Sequence, residues 1–330
     1  MMKPSIPARA HGALLAILIC GCGSVAVRVP VMKPAEINMA SYQSVAIGGM
    51  TGNGNSAVSD ALEEALVNSQ RFQVVDRQHM NQLMKELQLS STDLADPKSA
   101  SKLGKVVTAG ALIFGDTNVT FRETPSRTEY KDDKKVSHSI ESLKGEVYLR
   151  ATFKVVDVAT GRLIVAKTYE ERRDDTNRAI DKRPEPIDRH PLEQQARQAV
   201  IARFMKAIVP HTEYQEANFQ KDGDIPQLEG GIGYAQRGDW KQAQEVFNTA
   251  VQDAEKNVKL KSGQVAKCYW NLGLSYEYSG QYDKANDMIN KAYRLSNDQA
   301  MLVELDNVKR LQDDSKRLAD QIGTEAAGGK

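Results

Sequence analysis

Apolar positions along this chain change period more than once, and each change marks a different kind of element. Gln43 to Ile47 is a short apolar run that reads as a buried strand, and the glycine-rich stretch Gly48 to Asn55 after it reads as a tight loop. Val58, Ala61, Leu62, Ala65, Leu66 and Ser69 then recur at three- and four-residue steps. That spacing predicts a helix with one apolar face, with Asn55 or Ser56 placed to cap it. Phe72 to Val75 predicts a second strand, Met80, Leu83, Met84 and Leu87 a second helix, and Asp96-Pro97 the capped start of a third. Ala109 to Phe114 is a continuous apolar strand that runs on to Phe121. Val147, Leu149, Ala151, Phe153 and Val155 alternate with polar residues into a hairpin, Glu146 to Val158 with Arg162 to Thr168, turning at Ala159-Thr160-Gly161. The charged stretches Arg122 to Leu143 and Arg172 to Pro191 read as irregular loops. Leu192, Ala196, Ala199, Val200, Phe204 and Ile208 make a closing helix. The order βαβααβββα over residues 42–211 implies an α/β sandwich, a mixed sheet with helices packed on it.

The second half changes period to purely helical. Gly231, Tyr234, Gly238, Trp240, Ala243, Phe247 and Ala250 recur as Gly273, Tyr276, Gly280, Tyr282, Ala285, Ile289 and Ala292, and small residues at the glycine and alanine positions let paired helices approach closely. Asn297-Asp298 can cap a long final helix to about Ile322. Proline-bearing residues 22–41 read as a tether, polar residues 212–223 as a linker, 224–323 as the helical module and 324–330 as a tail.

Composition removes several functions. The 44 basic and 43 acidic side chains leave a net charge of +1, so no global field draws nucleic acid. The N-terminus adds a location. Lys3 and Arg9 precede a short apolar run from Ala13 to Ile19, followed by Cys20-Gly21-Cys22, the pattern of a signal peptide over residues 1–21 and too short to span a bilayer. The stretch resembles a bacterial lipobox, which implies lipid on Cys22. Cys20 fits worse because bulky Ile19 precedes it. Gly23 is not the aspartate that favours inner-membrane retention, so the implied address is the periplasmic face of the outer membrane of a diderm bacterium. An ordinary signal peptide is the alternative. With Cys20 removed and Cys22 acylated, Cys268 is left without a disulfide partner.

Val45-Ala46-Ile47, Arg71 to Arg77, Ala111 to Gly115 and especially Leu149 to Gly161 together resemble the CsgG family, which includes the curli secretion lipoprotein and shares its fold with LpoB-like proteins. The repeated helical positions resemble the tetratricopeptide repeat, with Tyr269-Trp270-Asn271-Leu272-Gly273 its best-matching stretch and an insertion near Val258 to Val265 lengthening the period. The fold class is therefore α/β plus all-α, a CsgG-like sandwich followed by a small tetratricopeptide module. These resemblances imply a non-enzymatic adaptor that binds an envelope protein or peptide. Since such grooves bind through their first helices, Gln227, Tyr234, Lys267, Trp270, Asn271 and Tyr278 are the candidate contacts. Self-association into a homo-oligomer stays open.

Little else suggests chemistry. The glycine-rich stretch lacks a Gly-Lys-Ser/Thr triplet, so a nucleotide-binding role is a distant alternative and no cofactor is expected. His79, His138, His190 and His211 are scattered without a second ligand nearby, so no metal site is expected. Asp132-Asp133 and Asp174-Asp175 sit among other charges, and Ser56, Ser59 and Cys268 lack a visible base. A secretion channel of curli type is the remaining alternative. It needs strands of about 9–11 residues with an apolar face, and lipid-facing lysine or arginine near the midplane costs about 2–4 kcal/mol each. Arg122 to Lys135 and Glu170 to Arg189 carry charges on both alternating faces.

Overall fold

The computed structural model describes residues 23–75, 82, 85–88, 99, 102 and 110–322. The signal run with Cys22, the helices expected around Met80 to Met84 and from Asp96-Pro97, His79 and the tail 324–330 lie outside the described residues. In chain order the described elements are β1 (Ser24–Lys33), β2 (Ser44–Gly52), α1 (Asn55–Asn68), β3 (Gln73–Val75), β4 (Ala111–Lys131), β5 (Ser137–Asp157), β6 (Leu163–Ile180), α2 (Arg189–Ile208), β7 (His211–Gln220), α3 (Gln227–Ala235), α4 (Trp240–Lys256), α5 (Ser262–Glu277), α6 (Tyr282–Ser296) and α7 (Gln299–Ile322). They fall into two units. One comprises Met32–Thr212 with the chain from Ser315 onward, and the other the chain up to Val31 with Glu213–Asp314.

The first unit is built on a five-stranded sheet of order β3-β2-β4-β5-β6. β2 runs parallel to β3 and β4, whereas β4, β5 and β6 are antiparallel neighbours. Alternation along β5 puts Val147, Leu149, Ala151, Phe153 and Val155 in the core, where they meet Leu62 and Leu66 of α1 and Val200 and Phe204 of α2. The Phe153 and Phe204 rings stack with centroids 4.4 Å apart.

The charged stretches expected to be loops are largely strands, with residues 181–188 left irregular and Arg189 to Pro191 opening α2. β4 continues to Lys131, β5 starts at Ser137 and β6 continues to Ile180, so the sheet extends into a three-stranded arm with Arg127 opposite Glu141 and Ser142 opposite Arg178. Both faces of the distal arm are polar, so period-2 apolarity had nothing to register there. Opposite charges stabilise the pairing instead: Arg127 reaches Glu141 at 3.4 Å and Lys144 reaches Asp174 at 3.2 Å. Asp132 makes the turn, its Oδ1 accepting from the amides of Lys134 and Val136 at 3.0 and 2.7 Å while Lys135 takes φ 61°. Ile187, in the proline-bearing strap after β6, covers the arm at Gly145. A β-carbon on Gly145 would stand 2.6 Å from Ile187 Cγ2.

The glycine-rich stretch also differs from expectation, since β2 extends through Gly52 and Gly54 precedes α1 without a side-chain cap. Gly52, at φ +86°, lies where a β-carbon would be 2.0 Å from the Thr117 carbonyl oxygen, so this glycine serves close approach to β4. Asn53 closes the neighbouring edge: its carboxamide accepts from Val119 N and donates to Val119 O, both at 2.7 Å.

The stretches expected as tether and linker contain strands as well. β1 and β7 pair in a two-stranded sheet that belongs with the helices. Val27, Val29, Ala217 and Phe219 point into the helical core, while Arg28, Tyr214, Glu216 and Asn218 stay exposed. Within the helices, a β-carbon on Gly231 would stand 2.3 Å from the Phe247 ring, and one on Gly273 2.6 Å from Ile289 Cγ1. The two glycines play one role in two copies of the repeat. Asp298 Oδ1 accepts from Ala300 N at 2.9 Å at the start of α7.

Candidate protein-binding site

The face of α5 that a tetratricopeptide module would offer to an extended peptide carries one of this chain's own strands. Trp270 is 5% exposed and donates from Nε1 to Asn218 O at 2.8 Å. Asn271 is fully buried, and its carboxamide accepts from Gln220 N and donates to Gln220 O, both at 2.8 Å. One side chain thereby satisfies both main-chain groups of one extended residue, as a neighbouring strand would. Phe219 supplies the apolar contact, its ring centroid 5.7 Å from that of Phe247.

The strand's exit is pinned at Asp222. Lys267 Nζ donates to its Oδ2 at 2.8 Å, Gln264 Nε2 to its Oδ1 at 3.0 Å, and the Asp224 amide to Oδ1 at 3.1 Å. Burial pushes the Asp222 carboxyl up, but the hydrogen bonds from Lys267 and Gln264 outweigh it and hold the group below its ordinary value. With the Lys267 and Asp222 side chains 18% and 3% exposed, this pair is screened far less than the ion pairs of the arm.

Of the six candidate contacts, then, Trp270, Asn271 and Lys267 are brought together, but around β7 and its exit. Gln227 lies apart from them, with Nε2 3.4 Å from Asp253 Oδ2. Tyr234 is half-buried under the Arg237 guanidinium at 5.1 Å, and Tyr278 stacks on Trp240 with centroids 6.0 Å apart. Residues 218–222 were not among the expected site residues. Their partners lie about fifty positions away, as in Asn218 with Trp270, a separation at which apolar periodicity carries no signal.

Cys268 is buried beside this site with its thiol pushed up to about 12, chiefly by burial and then by Asp222, which leaves it a packing residue. His138 sits at the tip of the arm with Nδ1 2.6 Å from Asp181 Oδ2 and Nε2 3.6 Å from Asp132 Oδ2. Among the described residues there is no group of three metal-ligating side chains, and no helix long and apolar enough to cross a membrane.

Residues 25–182 match the family model described as curli production assembly/transport component CsgG, and residues 231–298 match the tetratricopeptide repeat. No curated protein matches the sequence. Among solved structures, the LpoB C-terminal domain from Salmonella enterica is similar at 17% identity over 39% of this chain and 83% of its own, with a TM-score of 0.25. Escherichia coli LpoB is similar at 16% identity over 52% and 78%, with a TM-score of 0.26. The PelC dodecamer from Paraburkholderia phytofirmans is similar at 14% identity over 57% and 100%, with a TM-score of 0.30.

Proposed function

We propose that this chain, a CsgG domain followed by tetratricopeptide repeats, is a non-enzymatic adaptor or assembly factor of the cell envelope. Lipid on Cys22 holds it at the periplasmic face of the outer membrane, and the repeats and the CsgG domain bind a protein partner. The observation that carries the reading is the grip of α5 on β7. Asn271 bonds the amide and the carbonyl of Gln220 without involving that residue's side chain, so this face recognises extended main chain. A partner segment bound there takes the place of β7, with Asn271 and Trp270 passing to the incoming backbone, while the half-buried Gln227, Tyr234 and Tyr278 offer contacts that need no exchange.

The family description, a curli production assembly/transport component, supports the envelope setting. A lipid-facing channel fits less well, because Arg122 to Lys131 is exposed and charged on both faces of β4. The test is capture of envelope proteins with the chain lacking residues 1–22, followed by amide exchange on β7 with and without the captured partner. Faster exchange at Gln220 in the complex is expected. Unchanged protection there removes α5 from the interface, and ring-shaped particles of the detergent-extracted protein in electron microscopy overturn the adaptor reading.

A further inference from the structure

A second surface of the helical unit has features that repeat packing does not require. The insertion between α4 and α5 leaves a cleft of about 570 Å³ framed by the ends of α4, α5 and α6, within the size range of ligand sites. The connecting turn is held in place: Asn257 Oδ1 accepts from Lys259 N at 3.1 Å, and Gln264 Oε1 from Lys261 N at 3.0 Å. That turn presents Val258 at 97% exposure, and Leu295 across the cleft is 36% exposed. These two aliphatic side chains are the apolar contacts that the rim offers a ligand.

Basic side chains outnumber acidic ones around the cleft. Lys291 and Arg294 stand on the α6 wall, and neither makes an ion pair among the described residues. Lys256, Lys259 and Lys261 surround Val258 in sequence. The one acid on the lining, Glu255, accepts from the Tyr269 hydroxyl. Lys291 Nζ lies 5.3 Å from the Tyr269 ring centroid, over the floor of the cleft.

We propose that this cleft docks an extended peptide segment of a partner protein in which a carboxylate side chain neighbours an aliphatic one. The aliphatic group covers Val258 and Leu295, and the carboxylate reaches Lys291 and Arg294. An anionic membrane surface shares this chemistry, but it presents no single chain that fits between two walls, and a concave site of this volume fits a few residues of peptide. The site goes beyond the reading above and uses none of the side chains that hold β7.

The test is fluorescence anisotropy of the purified full chain with a labelled, end-capped peptide Gly-Leu-Leu-Glu-Leu-Gly. Matched peptides replace the glutamate by lysine or all three leucines by serine. Binding of the first peptide alone is expected, weakened at least tenfold by Lys291→Glu or Arg294→Glu and about fivefold by Val258→Ser, and unchanged by Lys182→Ala at an exposed position away from the cleft. A variant carrying both charge reversals should prefer the lysine peptide. All these positions are on the surface, so equal thermal midpoints check that the variants fold. The proposal is overturned by absence of binding at millimolar peptide, by affinity indifferent to the charge reversals, or by binding to phosphatidylglycerol vesicles that the same variants abolish while no peptide binds.

Discussion

Replacing Glu277 by glutamine is expected to stabilise the helical unit, by an amount that grows with pH. Glu277 ends α5 with 1% exposure. Asn307 of α7 donates to its Oε1 at 2.7 Å, whereas Oε2 has no hydrogen-bond partner. Burial first, and then the carboxylate of Glu304, raise its pKa from 4.5 to about 10. The folded chain therefore holds a proton on Glu277 that the unfolded chain releases above the ordinary value. Stability is greatest below 4.5 and falls as pH rises toward the folded value. Each pH unit inside that window costs about 1.4 kcal/mol, or roughly 3 kcal/mol accumulated by pH 7. Glutamine keeps the acceptor for Asn307, offers an N–H donor in place of Oε2 and takes no part in titration. Both tryptophans, Trp240 and Trp270, lie in the helical unit, so urea unfolding followed by tryptophan fluorescence reads that unit directly. At pH 5, 6, 7 and 8 the advantage of Glu277→Gln should widen by about 1.4 kcal/mol per unit. A gap that stays constant with pH refutes the protonated, buried carboxyl.

Four other outcomes follow from the sequence and the structure. Gly273→Ala places a β-carbon 2.6 Å from Ile289 Cγ1 and 3.3 Å from its amide nitrogen, and should destabilise the helical unit by about 1–3 kcal/mol. Gly263→Ala, with nothing within 4 Å, should be neutral or stabilising by up to about 1 kcal/mol in the same urea assay. His138 should titrate above 6.5, since its hydrogen bond to Asp181 raises it against a smaller opposing effect of burial. The stability that the His138–Asp181 pair contributes is complete below the ordinary histidine value and lost as pH rises through the raised one, and an NMR titration of Asp181→Asn should show the value falling back. Cys22→Ser should move the protein from the membrane to the soluble fraction, and membrane residence after a salt wash would contradict a lipid-only attachment.

The parts of the fold readable from sequence were those in which one face is apolar. Val147 to Val155 alternate because one side of β5 meets α1 and α2, and Gly231 and Gly273 recur because a β-carbon fits at neither position. The distal arm was hidden because water reaches both its faces. Its legible signals were charge complementarity, as in Arg127 with Glu141, and the turn chemistry of Asp132. β1 has Val25, Val27, Val29 and Val31 in strict alternation, but Pro30 within the run disguises it, a residue that edge strands tolerate. The site was half legible. The repeat pattern pointed to Trp270 and Asn271, and only the paired arrangement of β1 and β7 revealed what those side chains hold.

The central claim is that the repeats engage another envelope protein. Photo-crosslinking in intact cells tests it most directly, with a benzophenone amino acid at Gln227 or Tyr278 and, for comparison, at exposed Lys182 beyond β6. The account predicts one discrete adduct with a different envelope protein from the two helical positions. Adducts formed only with further copies of this chain would contradict it and favour a self-assembled ring.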